Sequence, residues 1–262
     1  MNNKSPLRYP GGKTRACKII DSIFRKYYNT DDFTSLQSPF FGGGSIEFYL
    51  QNKYKYKIIA NDKFQPLYNF WLQSKNNNIE LCNELEKNMD VTKESFMNYR
   101  KNILECDNMI EKAMFYFIIN RCSFSGATLS GGFSLEASKK RYTSSSIKRI
   151  KELNLSDITF HNLDFSDFLD NTPDDSTFIF LDPPYYLEKS NLYGSNGDMH
   201  ENFNHKGLYD IIKNKKNWIM TYNNCDYIRE LYKENIIIDA EWSYGMNKNK
   251  KSSEIIILSI LN

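Results

Sequence analysis

Residues 176–185 read Ser-Thr-Phe-Ile-Phe-Leu-Asp-Pro-Pro-Tyr. An apolar run without polar alternation is buried on both faces, as a strand inside a parallel sheet is. Pro183 and Pro184 stop that strand, because each has its φ fixed and lacks an N–H for the ladder. The strand therefore ends by presenting the Asp182 carboxylate, a stiff turn and the Tyr185 ring. Open α/β sheets bind ligands at the carboxyl ends of their strands. This end is thus the first candidate site. A structural role is open at this point, with Asp182 capping the turn and Tyr185 packing on the sheet.

The flanking sequence supplies the rest of such a sheet. Upstream lies an expected strand at 157–161, followed by Asp164-Phe165 and a short helix to about 170. Downstream, residues 187–207 are polar and rich in Asn, Gly and Ser, which predicts a loop beside the strand end, a candidate lid. A helix over 206–214, a strand at 218–222, a helix over 226–233 and strands at 236–240 and 254–258 complete the pattern. The last two strands flank a basic hairpin tip that carries Lys248.

The amino-terminal third repeats the strand–loop–helix theme. Pro10-Gly11-Gly12 predicts a tight turn flanked by Tyr9 and Lys13, with Thr14 as the expected N-cap of a helix over 15–28. A weak strand at 34–37 runs into Ser38-Pro39-Phe40-Phe41-Gly42-Gly43-Gly44-Ser45 and then an amphipathic helix over 46–53. Glycines there allow close approach, and the N–H groups of a helix start face the ligand. A second strand, 56–60, ends at Asn61-Asp62. Asp62 lies 18 residues after Gly44, at the position of an acid that binds ribose hydroxyls. This spacing fits a nucleoside-containing ligand, either a nicotinamide cofactor or S-adenosylmethionine. The third glycine of the dinucleotide fingerprint is missing, since position 47 is Glu.

Between the two halves of the sheet, helical periodicity takes over at 64–74, 79–88, 92–105 and 109–120. Asn120-Arg121-Cys122-Ser123-Phe124-Ser125-Gly126 and the Gly131-Gly132 turn follow, then Lys139-Lys140-Arg141-Tyr142 and a basic helix with Lys148, Arg149 and Lys151. Basic and aromatic residues interleaved on an inserted helical segment suit phosphates and bases.

Composition sets limits. The chain has 262 residues, 40% apolar and 25% charged, with net charge +2. This fits one α/β domain with a sizeable insertion. No apolar run approaches the ~20 residues of a membrane span, and residues 1–6 have no signal-peptide pattern. The five cysteines and three histidines lack metal-ligand or disulfide spacing, which predicts reduced thiols in an intracellular protein.

Leu7-Arg8-Tyr9-Pro10-Gly11-Gly12-Lys13, Pro39-Phe40-Phe41-Gly42-Gly43-Gly44 and Asp182-Pro183-Pro184-Tyr185, in this order and with the insertion between the last two, resemble the Dam-type DNA adenine-N6 methyltransferases. Asn120 to Gly126, with Gly132-Phe133, is also similar to that family. The resemblance covers nearly the whole chain. It implies an α/β fold: a Rossmann-like methyltransferase sheet with helices on both faces, from 1–64 and 156–262, plus an inserted, mostly helical target-recognition subdomain at 65–155. It implies S-adenosylmethionine as methyl donor and no metal. Double-stranded DNA, met by a monomer or weak dimer, is the expected partner, and a membrane is not. By position, Tyr9 and Lys13 match family residues at the cofactor. Phe40, Gly42 and Gly44 match its glycine loop, Asp62 its ribose carboxylate, and Asp164 and Phe165 residues beside its adenine. Lys139, Lys140, Arg141 and Lys248 are the expected phosphate contacts. Ser125 and Arg121 are expected at DNA, with a structural ion pair as the other reading of Arg121. The family commonly has an acid just before Pro-Phe, near the methionyl ammonium; here it is Ser38, which leaves Asp182 or a backbone carbonyl as the partner.

The implied reaction sets the expected roles. An exocyclic adenine nitrogen is a poor nucleophile, because its lone pair is delocalised into the ring. Asp182 and the Pro183 carbonyl are expected to accept its two hydrogens and stabilise the charge that develops. Asp182 would thus lie at both cofactor and target, with Tyr185 stacked on the base. The base must be flipped from the duplex. Competing readings are a cytosine-N4 or RNA-adenine methyltransferase, a nicotinamide-dependent oxidoreductase, and a catalytically silent DNA-binding subunit.

Overall fold

The structure, a computed structural model, describes residues 3–9, 12–171, 174–186, 203–243 and 251–260. Most of the expected lid, 187–207, and the hairpin tip with Lys248 lie outside the described residues.

Seven strands form one sheet: β1 (Ser35–Ser38), β2 (Lys57–Asn61), β3 (Ile158–His161), β4 (Thr177–Leu181), β5 (Trp218–Asn223), β6 (Ile236–Ser243) and β7 (Lys251–Leu258). Their order is β3-β2-β1-β4-β5-β7-β6. The first five are parallel, and β7 runs antiparallel between β5 and β6. The order reverses at β1, which lies between β2 and β4. A crevice therefore opens past the carboxyl ends of β1 and β4, the ends that carry Ser38 and Asp182. Strands β6 and β7 extend three residues beyond the apolar runs that predict them, through pairs such as Glu241 with Ser253. The added residues are mostly polar, so hydrophobic periodicity carries no sign of the extension.

Both faces of the sheet are buried, and the period of two is visible in the packing. Phe178, Phe180, Ile256 and Leu258 face one core with Ile20 and Phe24 of α1 (Cys17–Tyr27) and Ile46 and Leu50 of α2 (Ser45–Tyr54). Ile179, Leu181, Ile255 and Ile257 face the other. Phe24 and Phe178 meet at 4.3 Å between centroids. The second core is closed by α9 (Phe165–Asp170), α10 (His205–Ile212) and α11 (Asp226–Leu231). Thr14 does not cap α1. Ala16 occupies that position without a side-chain bond, and the Thr14 hydroxyl donates instead to Ser45 Oγ at 3.3 Å. The turn before the helix is closed by the backbone, with Ala16 and Cys17 N–H donating to Lys13 O. No side-chain cap is then required.

The inserted helices are α3 (Gln65–Asn76), α4 (Asn78–Lys87), α5 (Lys93–Asn102), α6 (Met109–Cys122), α7 (Leu135–Arg141) and α8 (Ser144–Lys151). Capping boxes at Thr92–Ser95 and Thr143–Ser146 start α5 and α8, and Asn108 caps α6. Helix α6 is buried around most of its circumference, so it is the axis of the insertion. Its core runs without a break into the sheet: Phe96, Phe117 and Tyr142 share one cluster with Phe41, Ile58, Ala60 and Ile158.

Candidate active site

The glycine loop takes its shape from intramolecular packing. Gly42 and Gly44 adopt φ values of +50° and +67°, where a side chain is strained. A Cβ on Gly42 would meet the Tyr9 ring at 2.8 Å, and one on Gly43 would meet Tyr9 Cβ at 2.9 Å. The ring of the first motif thus lies directly on the second. Trp71 Nε1 fixes the loop from the α3 side, donating to Gly42 O at 2.9 Å.

Asp62, just past β2, accepts the Gly42 N–H at 2.9 Å and the Phe64 N–H at 3.0 Å. Burial pushes its carboxyl up to about 6, against the pull of these two donors. Asn61 beside it bonds Pro39 O and both backbone groups of Leu163. The loops after β1, β2 and β3 are therefore stitched together. Asp164 caps α9 through Ser166 N–H at 3.1 Å and pairs with Lys63 at 2.7 Å. Phe165 packs on Phe40 at 5.8 Å and on Phe203 at 5.2 Å, an aromatic wall beside the loop.

The third motif meets the first through charge. Lys13 Nζ lies 2.9 Å from Asp182 Oδ1 and 3.9 Å from Glu254 Oε2, although Lys13 is only 3% exposed. Thr221 of β5 donates to the same Oδ1 at 2.6 Å. Among the described residues no bond falls on Oδ2 of this quarter-exposed side chain. Tyr185 donates its hydroxyl to Glu254 Oε2, and its ring lies 4.8 Å from Lys13 Nζ. Stacking of Tyr185 on a base thus requires the face opposite the lysine or withdrawal of that ammonium. Asn223 Nδ2 donates to Tyr186 O at 2.8 Å and holds the chain beyond the prolines.

Three residues here escape a reading of the sequence. Glu254 and Thr221 lie in strands, where nothing but their register shows that they reach Asp182 and Tyr185. Glu47, in the first turn of α2, is 3% exposed and accepts the Ser38 hydroxyl at 2.7 Å. Burial pushes its carboxyl up to about 8, with the Ser38 bond opposing. The one signal in the sequence is an acid among apolar neighbours directly after the glycines.

These contacts bring Tyr9, Lys13, the glycine loop, Asp62, Asp164, Phe165 and Asp182 to the carboxyl edge of the sheet. The expected DNA contacts behave differently. Lys139, Lys140 and Arg141 are exposed in the last turn of α7. Ser125 sits in a left-handed turn at φ +57° beside the exposed Phe124. Arg121 differs from these in its surroundings. It is 8% exposed, its Nε donates to Arg141 O at 2.7 Å, and its Nη1 donates to Pro6 O at 3.1 Å. Among the described residues its partners are carbonyls, because α6 points it inward between the start of the chain and the end of α7. Asn120 clamps the backbone of Arg8 from both sides, at 2.9 and 2.7 Å. A Cβ on Gly126 would strike Arg8 O at 2.8 Å. The insertion's loop is thereby seated on the first motif.

Residues 9–246 match a family model described as D12 class N6 adenine-specific DNA methyltransferase. The chain is also similar to the type II methyltransferase M.MjaIII of Methanocaldococcus jannaschii, 27% identical over 216 residues, 74% of either protein. It is 24% identical over 260 residues to the type II methyltransferase M.CviBI of Paramecium bursaria Chlorella virus NC1A, covering 92% of this chain and 91% of that protein. With nearly the whole sheet and insertion inside the match, the chain belongs to the D12 class of N6 adenine-specific DNA methyltransferases.

Proposed function

We propose that the crevice binds S-adenosylmethionine and that Asp182 and Pro183 hold the N6 amino group of a flipped-out adenine against it. The observation that carries this reading is the convergence of three distant motifs, with Lys13 on Asp182 at 2.9 Å and Tyr9 on the glycine loop. The residues present fit the donor. The glycine loop opens a helix start, Asp62 just past β2 would accept the ribose hydroxyls, and Phe40, Phe165 and Phe203 offer an apolar wall for its adenine. When bound, S-adenosylmethionine supplies a methyl group on a positively charged sulfur.

Lys13 and Thr221 hold Asp182 by Oδ1, so Oδ2 is the oxygen for one N6 hydrogen. The Pro183 carbonyl accepts the other. Two acceptors draw the lone pair out of the ring and would stabilise the positive charge on nitrogen as it bonds to the methyl carbon, whose bond to sulfur breaks to leave a neutral thioether; the nitrogen would then give up one of its two hydrogens as a proton. Holding the amino group in line contributes further through proximity. Tyr185, anchored by Glu254, forms a side wall of the base pocket.

Lys139, Lys140 and Arg141 contact phosphates and offset part of the cost of extruding the base. Arg8, Arg121 and Arg141 lie within mutual electrostatic reach, and burial first, then these neighbouring charges, lowers the Arg8 and Arg121 guanidiniums. A phosphate at this face would relieve that repulsion. Ser125 and the 65–155 insertion supply target recognition. Both relatives are type II methyltransferases by name, and we extend that role, modification of a specific site in double-stranded DNA inside a cell, to this chain.

The test incubates the protein with methyl-labelled S-adenosylmethionine and unmodified DNA, then digests the DNA and identifies the nucleoside. N6-methyladenine is expected, with Asp182→Ala losing transfer by about 10²-fold or more while still binding the donor. Label on cytosine N4, or transfer undiminished in Asp182→Ala, would overturn the assignment.

A further inference from the structure

The amino-acid end of S-adenosylmethionine carries an ammonium that loses water on entering a pocket, and a desolvated cation requires a charged acceptor. Five carboxylates lie along the carboxyl edge of the sheet. Asp164 is paired with Lys63, and Glu254 faces Lys13 and takes the Tyr185 hydroxyl. Asp62 already accepts two backbone N–H groups. Asp182 is held by Lys13 and Thr221. Glu47 is the fifth. It is 3% exposed, its Oε1 takes the hydroxyl of Ser38 at 2.7 Å, and it lies in the first turn of α2, where a helix start favours negative charge.

We propose that Glu47, oriented by Ser38, is the carboxylate that receives the donor's ammonium. The acid missing from the end of β1 is thus restored from nine residues further along, and Ser38 ties it to that strand end. This deepens the reading of the crevice as an S-adenosylmethionine site and rests on it. The groups facing Glu47 are Lys13 and Asp182, with the Cys17 thiol beside it. Burial pushes the carboxyl up to about 8. An incoming ammonium would favour the ionised form, so binding near pH 7 should release a proton.

Calorimetry tests this with two ligands, S-adenosylmethionine and 5′-methylthioadenosine, which keeps the nucleoside and sulfur but has no amino-acid portion. Glu47→Gln should weaken S-adenosylmethionine about tenfold or more, as loss of a charge-assisted bond does, and leave 5′-methylthioadenosine nearly unchanged. Ser38→Asp combined with Glu47→Gln should recover part of the loss. Repeating the wild-type titrations in buffers of different ionisation enthalpy should show proton release with S-adenosylmethionine and not with 5′-methylthioadenosine. Equal weakening of both ligands, or none, would overturn the assignment. So would identical proton release with both ligands, a readout that does not depend on a variant folding. A wild-type protein that binds no S-adenosylmethionine would instead remove the cofactor reading itself.

Discussion

Lys13 is the only ammonium among the described residues set against Asp182 and Glu254, and almost none of it reaches solvent. Removing one partner of a buried pair is costly because the others keep their charge in a poor dielectric. Lys13→Met should destabilise the empty protein by about 2–3 kcal/mol, less than a fully buried pair because Asp182 is one-quarter exposed. Urea denaturation measures it. Glu47 acts in the opposite sense. Its folded carboxyl is raised to about 8 from an ordinary 4.5. Between those values the native state holds more protons than the unfolded chain, so its contribution to stability falls as pH rises through that window. Glu47→Gln should therefore make the empty protein more stable than wild type at pH 8, with the gap closing toward pH 4.5, as followed by melting temperature. Gly44 is the other residue with no tolerance. Its φ is +67°, and a Cβ there would lie 2.6 Å from Phe41 Cζ. Gly44→Ala should distort the start of α2 and weaken donor binding, readable by the same calorimetry.

Helices α6 and α7 divide the basic residues by task. Arg121 projects inward from α6 and ties its end to the Arg141 and Pro6 carbonyls. Arg121→Met leaves those two carbonyls without a donor and should cost about 1–3 kcal/mol, seen as a lower denaturation midpoint. Lys139 and Lys140 point outward from α7. Their joint change to Ala should leave the denaturation midpoint unmoved. It should weaken DNA binding for any sequence and flatten the salt dependence by about 0.9 for each phosphate that no longer meets a lysine. In the linear sequence all three are basic residues beside the same glycine turn. What separates them is the phase of each helix and the chain start that passes beneath α6, and local composition contains neither. The hairpin of β6 and β7 makes the same point, since its far half pairs although the sequence there holds no apolar stripe.

Across the whole molecule, one strand order brings together residues more than 160 positions apart, as Lys13 and Asp182 are. The sheet that does so is held from both faces, and Phe178 sits where α1, β1 and β4 meet, in contact with Phe24, Tyr28 and Phe33. Phe178→Ala should cost about 3–5 kcal/mol in thermal or chemical denaturation while leaving the crevice residues chemically intact. The α/β class, the strand that ends at Asp182, the glycine loop and the acid at 62 were legible in the sequence, because apolar period, proline and glycine act within a few residues. The partnership of Lys13 with Asp182 and Glu254, the inward turn of Arg121 and the bond from Ser38 to Glu47 were decided by the tertiary structure alone. Each depends on which strand lies next to which and on how a helix is rotated against its neighbours, and those are settled only when the long-range contacts close.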